Sequence, residues 1–206
     1  MFLELTAAEG VGTKLFVTGN IHATSVTLYS VLLASDDGGQ TWREAVERVR
    51  GAGLDHIQFA DPETGWAGGQ MLAPLPQDPF LFLTTDGGKT WRQRPLFSEI
   101  HYGTIQQLYF TAKTSGSLTI DRGPGSEGGR YELYESPDGG ESWLIKEENT
   151  KPIKLKRPPP VSDWRVRPDG PTQAFQIEHR QGERWTTSAA FAVKLAACKP
   201  PPEDPK

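Results

Sequence analysis

The feature that most constrains this chain is an eight-residue segment that occurs three times. The copies are SDDGGQTW (35–42), TTDGGKTW (84–91) and SPDGGESW (136–143), and all fit the pattern (S/T)-x-D-G-G-x-(S/T)-W. Their tryptophans are separated by 49 and 52 residues. Self-similarity at a near-constant period of roughly 20–50 residues indicates a fold built from stacked units.

Each copy, called a box below, is predicted to form the turn of a β-hairpin. The boxes follow strand-like runs at 29–34, 80–84 and 131–135 and precede polar runs that also suit strands. D-G-G supplies positive-φ positions, the Asp and Ser/Thr oxygens can bond to turn backbone, and the Trp can cover the turn. The box residues predicted to be structural are Ser35, Asp37, Gly39, Thr41, Trp42, Thr84, Asp86, Gly88, Thr90, Trp91, Ser136, Asp138, Gly140, Ser142 and Trp143.

A fourth, eroded copy is predicted at EHRQGERW (178–185). It keeps Gly182 and Trp185, but Arg180 stands where the other copies have Asp. We expect it to form the corresponding turn of a fourth unit.

The segments around the boxes predict four strands, a to d, in every unit, with the box joining strands c and d. HIQFADPETGWAGGQ (56–70), for example, has the pattern strand, turn, strand. Four antiparallel strands in roughly 45–50 residues are typical of a propeller blade. The predicted fold is therefore all-β and β-propeller-like, in one domain over 1–197. Its four-stranded blades lie at 1–49, 54–97, 102–150 and 161–195, and a Pro-rich flexible tail follows at 198–206. TWREAVERVRGAG (41–53) could form a helical turn, but its place in the unit favours strand d.

The box resembles the Asp-box of the BNR (bacterial neuraminidase repeat) family. Together with FADPETGWAGG (59–69), the unit is most similar to photosystem II stability/assembly factor-like proteins of the sialidase superfamily, whose repeats occur widely in bacteria. The resemblance implies a propeller that serves as a binding platform. It also implies six to eight blades, whereas this chain has about four. Two alternatives follow: a closed four-blade form, or an open arc that a partner or a second copy would cover.

Composition narrows the classes of function. The 22 basic and 26 acidic residues give no chain-wide footprint for nucleic acid. No run approaches roughly 18 apolar residues, so no membrane span is predicted. No export signal is visible at the start of the sequence. Cys198 is the single cysteine and cannot form an internal disulfide, so it does not indicate the redox compartment. Two compartments therefore stay open: the cytoplasm for the chain as written, or the periplasm or the exterior if a signal was trimmed.

Catalytic chemistry is poorly supported. The sialidase resemblance would imply an N-terminal F/Y-R-I-P segment, which this sequence lacks. Asp121 and Glu127 could share one rim as a carboxylate pair, but a Gly-rich acidic loop is usually a solvated hairpin. The four histidines have no metal-ligand spacing, and the D-G-G turns lack the distal Glu of a calcium loop. We therefore predict no catalytic residues, no metal and no cofactor.

Recognition is predicted at the end of the blades opposite the boxes. The b–c loops (19–28, 69–79, 121–130) and the d–a loops (97–103 and the basic, Pro-rich 151–161) meet there and vary between units. Variable loops on a repeated scaffold usually carry recognition. The sequence thus predicts a non-enzymatic protein-interaction or assembly scaffold, with a carbohydrate-binding or glycan-hydrolysing propeller as the alternative. The candidate binding residues are His22, Met71, His101, Tyr102, Arg122 and Arg130.

Overall fold

The computed structural model describes residues 1–72, 77–126, 128–155, 162–170 and 174–192. Every regular element in these ranges is a β-strand, and no helix occurs among them. The strands are β1 (Phe2–Val11), β2 (Lys14–Ala23), β3 (Val26–Ser35), β4 (Arg43–Glu44), β5 (Val49–Arg50), β6 (Ala52–Phe59), β7 (Gly65–Met71), β8 (Gln77–Thr84), β9 (Arg92–Pro95), β10 (Thr104–Ala112), β11 (Ser115–Asp121), β12 (Tyr131–Ser136), β13 (Leu144–Asn149), β14 (Trp164–Asp169), β15 (Ala174–Gln181) and β16 (Arg184–Ala192).

These strands form four antiparallel sheets in chain order. Sheet 1 is β1-β2-β3-β4, with β5 also pairing with β3; sheet 2 is β6-β7-β8-β9; sheet 3 is β10-β11-β12-β13; and sheet 4 is β14-β15-β16. Consecutive strands pair throughout, as in the blades of a propeller. The predicted all-β, blade-like fold is confirmed.

A shared irregularity marks the first strand of sheets 1, 2 and 3. The pairing register slips by one residue at Thr6, Asp55 and Gln106, so each of these strands contains a β-bulge at a corresponding position. A bulge increases the local twist and bends its strand. The three sheets therefore share a repeated backbone shape as well as a strand order.

Strand d of the first unit is interrupted. Its segments β4 and β5 pair with β3 separately; between them Ala45 N–H still donates to Leu32 O at 2.7 Å, and the pairing is lost from Val46 to Arg48. Ala45 and Val46, which lie in that gap, pack against the apolar core between sheets 1 and 2. Both side chains are partly buried, so the gap in strand d contributes apolar contacts to the core.

Sheet 4 departs from the prediction in two ways. Its described part has three strands, and the predicted fourth box does not form a box loop. Gly182 and Glu183 make a two-residue turn between β15 and β16, whereas seven residues separate the strands at each true box. Arg180 explains the difference, because it lies in strand β15 and pairs with Asp163, so no carboxylate is present to gather the turn N–H groups.

The apolar core consists of three clusters, each lying between two sheets. Trp66 and Phe110 centre the cluster between sheets 2 and 3, and Leu32 and Leu54 that between sheets 1 and 2. A third cluster joins sheets 4 and 1 through Ile177 and neighbours such as Trp42. Packing thus runs from sheet 4 through sheets 1 and 2 to sheet 3. Among the described strands, no comparable packing joins sheets 3 and 4; the row of sheets 4, 1, 2 and 3 is called the arc below.

The connector between sheets 3 and 4 is described only as far as residue 155. Leu155 is buried, and its N–H donates to Gln107 Oε1 at 3.3 Å, so this part of the chain lies on sheet 3. The rest of the predicted basic linker, at 156–161, and the predicted tail at 198–206 lie outside the described residues. In the part of the chain that the structure describes, no helix is long and apolar enough to cross a membrane.

Candidate functional site

The first box closes its own turn with a compact set of hydrogen bonds. Ser35 Oγ accepts from Gly39 N–H and donates to Asp37 Oδ1, both at 2.8 Å. Asp37 Oδ1 also accepts from Thr41 N–H at 2.9 Å, and Asp37 Oδ2 accepts from Thr41 Oγ1 at 2.6 Å. Both carboxylate oxygens are therefore engaged within the loop.

The second and third boxes repeat this geometry at Asp86 and Asp138. The hydrogen bonds from Thr90 hold the pKa of Asp86 at about 2, and those from Ser142 likewise lower the pKa of Asp138. A carboxylate stabilised in its charged form by turn donors is unsuited to donate or take up protons near neutral pH. The geometry of the boxes thus offers no general acid or base.

Two boxes also fasten their sheet to the preceding one. Lys14 Nζ in sheet 1 donates to Gly87 O of the second box, and Trp66 Nε1 in sheet 2 donates to Gly139 O of the third, both at 2.8 Å. Trp66 is fully buried and stacks on Phe110 of sheet 3 at 3.7 Å. The box loops therefore act at the interfaces between blades as well as within them.

At the opposite end of the sheets, called the loop end below, two candidate binding residues converge on a buried carboxylate. His101 Nε2 lies 2.7 Å from Glu132 Oε2, and Arg122 Nη1 donates to Glu132 Oε1 at 3.2 Å. Tyr134 completes the cluster by donating its hydroxyl to Glu132 Oε2 at 2.9 Å. Glu132 is only 2% exposed. Burial acts to raise its pKa, but the bonds and charges of His101, Tyr134 and Arg122 outweigh burial and hold the pKa low.

Sequence reasoning missed Glu132, although a signal for it exists. In YELYES the period of two places Glu132 and Tyr134 on one face of β12. A glutamate on the face of a strand that also carries a core tyrosine requires partners, because an unpaired buried carboxylate is costly. That signal points to His101 and Arg122 only once the neighbouring loops have been placed.

The other candidate residues at the loop end are dispersed. Arg130 forms a bidentate pair with Asp121, with both distances at 2.7 Å, and His22 bonds to Glu4 and Thr27. Met71 packs against the core between sheets 1 and 2, and Tyr102 is 48% exposed. The structure therefore brings together His101 and Arg122, while the remaining four make separate local contacts. Glu127, one of the two carboxylates weighed as a pair, lies outside the described residues.

Exposed apolar side chains are concentrated at the loop end. Among the described residues, seven large hydrophobic side chains are exposed, and five of them lie at the loop end: Met1, Phe2, Val26, Ile100 and Tyr102. The other two, Leu144 and Ile145, lie on the outer strand β13. Clustered exposed apolar side chains mark interaction surfaces more often than scattered ones do.

In the described ranges, no group of three or more His, Cys, Asp or Glu side chains is arranged to hold a metal ion.

The sheets and boxes define a propeller-like arc of antiparallel blades. No family model matches the sequence, and no curated protein matches it. Among solved structures, the chain is similar to YCF48 from Cyanidioschyzon merolae, with a TM-score of 0.49 and 16% identity over 96% of this chain. The chain spans 58% of the length of that structure.

Proposed function

We propose that this protein is a non-enzymatic scaffold that holds a protein partner at the loop end of its blades. The observation that carries this proposal is the concentration of exposed apolar side chains there, at strand ends of sheet 1 (Met1, Phe2 and Val26) and in the loop before sheet 3 (Ile100 and Tyr102). Phe2 stacks on the candidate residue His22 at 4.9 Å, and Ile100 and Tyr102 flank the candidate His101. Amphipathic and apolar side chains of this kind are enriched in protein interfaces.

The boxes support the proposal by what they do internally. Their carboxylates and hydroxyls bond within the loops, so the polar groups of the boxes stabilise the blades and are not free to bind a partner. We also infer that the three boxes are Asp-boxes of the BNR type, on the strength of their sequence pattern. A protein partner fits the loop end better than a glycan, because the charged side chains described there are already paired, His101 and Arg122 with Glu132 and Arg130 with Asp121, and the exposed groups are apolar.

The test is site-specific photocrosslinking followed by reconstitution. A photoreactive amino acid at Ile100 or Tyr102 should capture a protein partner, whereas the same group at Leu144 or Ile145 should not. Those two residues are matched controls, since they are similarly exposed and apolar but lie on the outer strand. With the captured partner purified, Ile100→Asp should weaken binding at least tenfold and Leu144→Asp should leave it unchanged.

Two results would overturn the proposal. One is capture from Leu144 but not from Ile100 or Tyr102, which would place the interface on the outer strand. The other is a glycan-array signal that disappears in Tyr102→Ala, which would favour the carbohydrate-binding alternative.

A further inference from the structure

A cleft of about 600 Å³ lies where the four sheets converge, at the end of the blades that carries the boxes. We call it the central cleft. Sheets 1, 2 and 3 line it with the last part of their first strands, and sheet 4 lines it with the start of β14 and with β15. The lining residues are Glu9, Gly10, Ile57, Gln58, Phe59, Ala60, Leu108, Tyr109, Thr111, Ser162, Asp163, Trp164 and His179.

Three residues of the cleft occupy the same position in successive sheets. Glu9 pairs with Phe16, Gln58 with Trp66 and Tyr109 with Ser117 in the first hairpins of sheets 1, 2 and 3. The side chains of Glu9, Gln58 and Tyr109 can therefore be compared directly, because they lie at equivalent positions of sheets 1, 2 and 3.

Gln58 shows the structural use of this position. Its Nε2 donates to Phe110 O at 2.7 Å and its Oε1 accepts from Phe110 N–H at 2.8 Å, so its amide joins sheet 2 to sheet 3. Glu9 makes no such bridge to a described residue, and its only hydrogen bond there is from the adjacent Gly10 N–H at 3.2 Å. The chain thus places a carboxylate in the cleft at the position where sheet 2 has a bridging amide.

The cleft has a rigid apolar wall beside this carboxylate. The Trp164 indole lies so close to Gly10 that a Cβ there would stand 2.2 Å from it. His179 stacks on the indole, with ring centroids 4.3 Å apart. Phe59, Leu108 and Tyr109 extend the wall, so much of the lining would suit an alkyl chain.

Charge in the cleft is unbalanced. The described lining contains two carboxylates, Glu9 and Asp163, and neither lysine nor arginine. Asp163 is paired outside the lining with Arg180 at 2.7 Å, whereas Glu9 has no cationic partner among the described residues. In the described lining, no three His, Cys, Asp or Glu side chains are arranged to hold a metal ion. An alkylammonium or guanidinium group needs one carboxylate and an apolar channel for its stem.

We propose that the central cleft binds an organic cation with the chemistry of a lysine or arginine side chain, with Glu9 as its counter-charge. The inference does not rest on the proposed function, because the cleft opens at the opposite end of the blades from the loop end. Its Glu9 site is separate from the box carboxylates, whose oxygens are already bonded.

The environment of Glu9 also predicts how binding depends on pH. Burial raises the pKa of Glu9 to about 7. The hydrogen bond from Gly10 N–H opposes this rise, and the negative charge of Asp163 adds to it. Its ionised fraction is then about one tenth at pH 6 and nine tenths at pH 8, so a cation should bind about tenfold more weakly at pH 6. The other titratable groups that line the cleft are Asp163, Tyr109 and His179.

The test uses NMR titration of the full chain with blocked lysine (N-acetyl-lysine methylamide) and, as a second source of the same chemistry, spermidine. Backbone signals of Gly10 and the indole signal of Trp164 should shift with both probes. Glu9→Gln should weaken binding at least tenfold at pH 8 and remove the pH dependence. This variant should fold, because Gln58 occupies the equivalent position in sheet 2.

Matched controls separate the cleft from general charge effects. Glu63→Gln changes an exposed acid in the first turn of sheet 2, outside the cleft, and should leave binding unchanged. His179→Gln should keep the pH dependence, because the dependence is assigned to Glu9. Blocked norleucine has a comparable chain without the charge and should not bind.

Four results would overturn the proposal: no shift with either cation, equal binding by blocked norleucine, unchanged affinity in Glu9→Gln, or the same shifts with Ca²⁺ alone. Loss of pH dependence in His179→Gln while it persists in Glu9→Gln would assign the site to His179 instead.

Discussion

Replacement of Glu9 by glutamine should stabilise the protein, and only above a defined pH. Glu9 lies in the central cleft, and burial is the main reason that its pKa rises from 4.5 to about 7. A carboxyl group whose pKa is higher in the folded than in the unfolded chain opposes folding when it is ionised. Glutamine has nearly the same shape and carries no charge, so it removes this cost.

The magnitude follows from the size of the pKa change. Each tenfold change in acid dissociation corresponds to about 1.4 kcal/mol, so a rise from 4.5 to about 7 corresponds to about 3 kcal/mol. Between pH 4.5 and 7 the folded chain holds a proton that the unfolded chain has released. Wild-type stability should therefore fall as pH rises through this window, and the advantage of Glu9→Gln should grow from near zero to its full value.

Urea denaturation of both proteins at several pH values from 4 to 8.5 measures this difference directly. Glu63→Gln, which changes an exposed glutamate, should give a free energy of unfolding equal to that of the wild type throughout. Asp163→Asn should leave the onset near pH 4.5 unchanged and lower the upper end of the window only slightly, because the Asp163 charge is a smaller cause of the raised pKa than burial.

The reasoning is refuted if Glu9→Gln is equally stabilising at pH 4 and pH 8, since glutamine would then act through a new hydrogen bond rather than by removing a charge. It is also refuted if the variant is less stable than the wild type at pH 8.

Three further substitutions test other parts of the fold. Asp86→Ala removes the acceptor of the Thr90 bonds and should lower the free energy of unfolding by about 1–3 kcal/mol. Partner binding should stay intact in the folded fraction. Lost binding with an unchanged melting temperature would contradict a structural role for the box. Trp66→Phe keeps an aromatic ring on Phe110 but leaves Gly139 O without its donor and a gap in place of the second indole ring, so thermal unfolding should show a loss of at least about 1–2 kcal/mol. Glu132→Ala leaves the buried cluster at the loop end without its carboxylate and should lower the free energy of unfolding, measured by urea denaturation, by about 2–4 kcal/mol. Glu132→Gln should lower it by less.

The repeated box allowed the fold to be predicted, because its pattern and its period both constrain the structure. A D-G-G turn between two strand-like runs specifies a hairpin locally, and three copies at a near-constant period specify that the hairpins stack. The prediction was wrong at 178–185 because glycine and tryptophan alone do not specify the loop. Without an aspartate to gather the turn N–H groups, the same spacing accommodates a two-residue turn.

The candidate site was less predictable because it depends on contacts between sheets. The loop positions of His101 and Arg122 could be inferred from strand order, but their common partner Glu132 is a strand residue. The departure of Glu9 from the role of Gln58 could not be seen in the sequence, since it appears only when the hairpins are aligned by their pairing register. Hydrophobic patterning reports which face of a strand is buried, and it does not report what lies opposite.

The packing of sheet 4 against sheet 1 has a consequence for the order in which the chain can be completed. Trp42 of the first box contacts Phe191 in β16, with ring centroids 4.7 Å apart, and β1 packs against β14. During synthesis, the first sheet leaves the ribosome long before the sheet that covers one of its faces. The face that carries Trp42 stays uncovered until about 150 further residues have been made. A chain interrupted before β16 would therefore expose Trp42, and exposed apolar surface of this kind promotes aggregation and chaperone binding.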